Sequence, residues 1–79
     1  MAVQMEMSEV SALAWQRYEK IKKRVEATHR GEFMVIEVRS GDYFIDQNDM
    51  QAIKKARTAH PKGAFYLIRI GYKVAHKFK

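Results

Sequence analysis

Phe33-Met34-Val35-Ile36-Glu37-Val38-Arg39-Ser40-Gly41-Asp42-Tyr43-Phe44-Ile45 decides the fold of this chain. Phe33–Val38 is apolar except for Glu37 and rich in β-branched residues, which suits a buried, pleated strand. Arg39-Ser40-Gly41-Asp42 reads as a turn, with Gly41 suited to positive φ. Tyr43–Ile45 is a second short strand, and the two form a hairpin.

Upstream, Ser8–His29 reads as a long amphipathic helix. Val10, Leu13, Ala14, Tyr18, Ile21 and Val25 recur at spacings of three and four. Ser8 or Ser11 caps its start, Glu9 sits where the helix dipole favours an acid, and Gly31 supplies the left-handed stop. Met1–Met7 carries no cap or turn signal and reads as a frayed end joining this helix.

Downstream, Asp46 or Asn48 caps a second helix ending near Ala59. Asn48 with Gln51 three residues on resembles a capping box. Met50, Ile53 and Ala56 give it a narrow apolar stripe, and Pro61 stops it. Ala64–Ile70 is the third and most apolar strand. Tyr72–Phe78 alternates with a period of two, as a terminal extended segment would.

The order predicts one small α+β domain over residues 1–79, α-β-β-α-β, with a three-stranded antiparallel sheet in the order 2-1-3. The crossover from the second strand through the second helix to the third should be right-handed. Strand one places Met34, Ile36 and Val38 on one face and Phe33, Val35 and Glu37 on the other. Strand three divides Tyr66, Ile68 and Ile70 from Phe65, Leu67 and Arg69. Neither face is polar, so both need cover. Either the helices sit on opposite faces, or one face meets another chain. Glu37 and Arg69 are placed to pair across strands. The first helix, about 30 Å long, is expected to overhang strands of about 20 Å, leaving Val10, Leu13 and Trp15 near or beyond the sheet edge.

The chain has no cysteine, which excludes disulfides and thiolate metal sites. No apolar run approaches a membrane span, and Met1–Val10 lacks the basic start of a secretory signal, so a cytoplasmic location is expected. The net charge is +6. Lys54 to Lys79 holds eight basic residues and no acidic one, whereas Met1–Ile53 has an excess of acids. A basic last third steers toward acidic partners, nucleic acid or protein.

His29, His60 and His76 show no metal-ligand spacing, and Asp42, Asp46 and Asp49 do not match a calcium loop. No serine or threonine lies in a nucleophile motif, and the four glycines form no phosphate loop. A non-catalytic role without a cofactor is therefore the expectation. Basic and aromatic residues alternate in Arg69-Ile70-Gly71-Tyr72-Lys73 and His76-Lys77-Phe78-Lys79, a mixture that suits single-stranded nucleic acid.

The strings Gly31–Glu37, Ser40-Gly41-Asp42-Tyr43-Phe44-Ile45, His60-Pro61 and Phe65-Tyr66-Leu67-Ile68-Arg69-Ile70-Gly71-Tyr72 resemble a group of short bacterial proteins with no assigned activity. The resemblance spans about Tyr18 to His76. One departure is Asp46, where glycine is frequent in that group. Members encoded beside small aspartyl proteases, as two-gene units, imply an antitoxin-like or partner role.

Two functional expectations follow. The first is a protein-interaction module that binds another protein, such as a small aspartyl protease-like partner, or itself as a homodimer. Its contact residues would be Val10, Leu13, Trp15, Phe33, Val35 and Leu67. The second is a small nucleic-acid-binding protein that sets Lys54, Lys55, Arg57, Arg69, Lys73 and Lys77 on phosphates.

Overall fold

The computed structural model describes residues 7–72. Helix α1 (Met7–His29) is followed by strands β1 (Phe33–Glu37) and β2 (Tyr43–Asp46), helix α2 (Asp49–Ala59) and strand β3 (Phe65–Arg69). The sheet order is β2-β1-β3, and β1 is antiparallel to both neighbours. The α+β class, the element order and the strand order all match the sequence reading. The terminal segment beyond Tyr72 and the N-terminal residues before Met7 lie outside the described residues.

Local chemistry explains the boundaries. Gly31, at φ +89°, ends the α1 turn in the left-handed region. Asn48 is the N-cap of α2, and its side chain accepts from Gln51 N at 3.1 Å. Asp46 forms an Asx turn before it, accepting from Asn48 N at 2.9 Å. The hairpin turn closes through Gly41 N to Glu37 O at 2.9 Å, with Gly41 at φ +82°.

The two helices cover opposite faces of the sheet. Against α1 lie Met34, Ile36, Val38, Tyr66, Ile68 and Ile70, packed with Val10, Ala14, Tyr18 and Val25. Against α2 lie Val35 and Leu67, packed with Ala52 and Ala56 and flanked by Phe33, Phe44, Ile53 and Phe65. Small alanines let α2 approach the sheet closely, so a short helix seals its face.

Three expectations are corrected here. Val10 does not overhang the sheet; it is buried, and Leu13 and Trp15 pack half-buried against the same cluster. The core outruns the strands, because Val38, Ala64 and Ile70 just beyond them extend the apolar floor beneath the helix. Val35 and Leu67 are not a contact surface, since α2 covers both, and Phe33 is half-buried beside them. Glu37 and Arg69 do not pair. The register sets Arg69 opposite Phe33 and Glu37 opposite Phe65, at opposite ends of β1.

Candidate interaction surface

Glu37 is the one polar side chain buried in the described core, at 2% exposure. Its carboxylate accepts from Ser40 N at 2.8 Å and Ala64 N at 2.9 Å, which ties the hairpin turn to the loop entering β3. Burial pushes its pKa up, but these backbone N–H groups outweigh burial and hold it below the usual glutamate value. Close by, His60 Nε2 meets Asp42 Oδ2 at 2.8 Å and fastens the end of α2 to the same turn. Both pairs do structural work at one end of the sheet.

The sheet has two edges, and they differ. In the β1–β3 ladder, Val38 N donates to Ala64 O and Ile70 N to Glu32 O. Even-numbered residues of β3 therefore turn their backbone groups inward. Phe65 and Leu67 turn theirs outward, where no described strand pairs with them. On the other edge, the outward carbonyl of Ile45 is taken by Lys55 Nζ at 3.1 Å, and Lys55 also pairs with Asp46 at 2.9 Å. That lysine blunts β2, a known protection of strand edges.

The flanks of the β3 edge are set by the helices. Arg17 of α1 donates to Val38 O and Arg39 O, and Arg24 to the Tyr43 hydroxyl, so that side of α1 faces the hairpin. The opposite side carries Trp15, Glu19, Lys22 and Glu26. Trp15 meets Tyr66 of β3 in an edge-to-face contact at 6.2 Å. On α2, Lys55 reaches β2, so Ile53, Arg57 and Met50 lie on the flank toward β3. Met50 is 66% exposed.

The expected basic residues divide. Lys54 and Arg57 are exposed on α2. Lys55 is engaged at the β2 edge. Arg69 is clamped: its guanidinium lies 5.4 Å from the Phe33 ring centre and 4.4 Å from that of Tyr72, and Nε donates to Gly31 O at 3.3 Å. Lys73 and Lys77 lie outside the described residues. The structure thus does not gather the six into one described patch. The alternation of β3 holds the edge signal in the sequence, but only the ladder's parity reveals which of its residues face outward.

Among the described residues, no three of His, Asp and Glu converge to hold a metal ion. No described helix is long and apolar enough to cross a membrane. No family model, no curated protein and no solved structure matches the chain.

Proposed function

We propose that this chain is a non-catalytic protein-interaction module that receives an extended segment of an acidic partner along the outer edge of β3. One observation carries the reading: β3 presents outward backbone groups at Phe65 and Leu67, whereas β2 has its edge plugged by Lys55. Main-chain hydrogen bonds to an added strand supply affinity, and pockets for alternate side chains supply selectivity. Exposed Arg57 on the α2 flank toward β3 favours an acidic side chain on that face of the added strand. In the two-gene arrangement that the resemblance implies, the partner is the neighbouring aspartyl protease-like protein. Self-association along this edge brings like charges together, which disfavours a homodimer.

Amide hydrogen exchange tests the edge. In the isolated chain, Tyr66, Ile68 and Ile70 should exchange slowly, and Leu67 much faster. A partner should then protect Leu67. Slow exchange at Leu67 in the isolated chain sinks the proposal.

A further inference from the structure

The two flanks of α1 carry opposite arrangements of charge. On the flank toward β3 each carboxylate has its own cation: Glu19 pairs with Lys22 at 3.9 Å and Glu26 with Arg30 at 3.7 Å. On the flank toward the hairpin stand Arg17, Lys20 and Arg24, spaced three and four apart so that they share one side of the helix. No Asp or Glu lies three or four residues from any of them, and no described ion pair includes one. Both guanidiniums are held instead by neutral oxygens of the hairpin. Arg17 donates to Val38 O at 3.2 Å and to Arg39 O at 3.1 Å, and Arg24 donates to the Tyr43 hydroxyl at 3.0 Å. Those bonds fix the position of the charge without cancelling it.

A fixed row of cations that lacks counter-charges fits a row of phosphates. We infer that this flank of α1 binds the phosphate backbone of a nucleic-acid duplex, independently of sequence. Arg17 and Arg24 supply oriented N–H donors, and Lys20 supplies a mobile point charge between them. The row runs about 10 Å along the helix at 1.5 Å per residue. Bases are not the target, because no exposed aromatic ring borders the row. Among the described residues the exposed large apolar side chains are Met50, on α2, and Tyr72, which lies beside Trp15 on the other flank. A single strand is held by stacking on such rings, so their absence favours the duplex. The same absence removes the apolar anchor that a membrane surface needs beside charge. This flank lies away from the outer edge of β3 and does not rest on the edge-docking reading.

Fluorescence anisotropy of a labelled mixed-sequence DNA duplex, titrated with the full chain over a salt series, reads the contact. The double variant Lys20→Gln with Arg24→Gln should bind about tenfold more weakly at low salt, with a log–log salt slope shallower by about two. Lys54→Gln with Arg57→Gln removes the same charge from α2, across the sheet, and should leave affinity within a factor of about two. All four positions are exposed, so the fold is not at stake, and Arg17 stays intact because it braces the hairpin. Equal loss in the two double variants makes binding follow net charge alone and overturns the site. A single strand bound as tightly as the duplex, or phosphatidylserine vesicles that displace the duplex at the same salt, overturns the partner class. Failure of the unaltered chain to bind the duplex at low salt overturns both, and leaves the β3 edge untouched.

Discussion

Arg69 stands directly opposite Phe33 in the β1–β3 ladder, with its guanidinium 5.4 Å from the centre of the Phe33 ring. The same group lies 4.4 Å from the Tyr72 ring and donates to Gly31 O. One side chain thereby joins both strands to the turn after α1 and to the residues leaving β3. Its planarity is what allows two ring contacts and a backbone bond at once. Arg69→Met should cost about 1–2 kcal/mol in urea unfolding. Arg69→Lys should recover less than half of that, because an ammonium cannot stack. Full recovery by lysine would show that charge alone matters here.

Glu37 governs the acid limb of stability. Its carboxylate sits among backbone N–H donors from Ala64, Ser40 and Arg39. Burial raises its pKa, but those bonds hold the folded-state value below that of the unfolded chain. The unfolded chain therefore binds the proton more readily. The stabilisation is complete above the unfolded value of about 4.3 and is lost as pH falls through the lower folded value. Glu37→Gln should flatten that acid limb in melts recorded from neutral to acid pH. Glu37→Ala should cost about 2–4 kcal/mol at neutral pH, since it leaves buried N–H groups unpaired. An acid limb unchanged in Glu37→Gln would assign it to other carboxylates.

Gly41 adopts φ +82°, and a Cβ there would stand 2.9 Å from the Arg17 guanidinium. Gly41→Ala meets both backbone strain and a crowded arginine. About 1–2 kcal/mol of destabilisation is expected by thermal unfolding. Arg17→Ala with Gly41→Ala separates the causes. If crowding contributes, the double variant loses less than the sum of the single ones.

Sequence pattern revealed the elements because each carries its own local signal. Asn48 caps, Pro61 stops, Gly41 turns, and the apolar periods differ between helix and strand. Strand order followed from short connections. Relations fixed only by register were not legible. Glu37 and Arg69 share a sheet face, which made a pair attractive, but the antiparallel offset sends one to each end of β1. Burial of Val35 and Leu67 depended on how closely Ala52 and Ala56 let α2 approach. The apolar content of that face said only that something must cover it. Strand length does not set core length: Val38 and Ile70 prolong the core beyond the ladder, which brings Val10 onto it.

Tyr18 controls the alkaline limb of stability. Its ring is buried in the α1 core, and its hydroxyl donates to Glu26 Oε2 at 2.7 Å while accepting from Gly71 N at 3.3 Å. Burial, reinforced by the hydrogen bond to the Glu26 carboxylate, raises the phenol pKa to about 12. The folded chain thus keeps this proton more firmly than the unfolded chain, whose value is about 10. The associated stability is fully present below pH of about 10 and is lost as pH rises toward the folded value. Ultraviolet titration should show Tyr18 ionising well above the ordinary range in the folded chain and within that range on denaturation. Tyr18→Phe should remove that transition and cost about 1–2 kcal/mol at neutral pH, because the Glu26 carboxylate and the Gly71 amide lose their partner. Persistence of the late transition in Tyr18→Phe would assign it elsewhere.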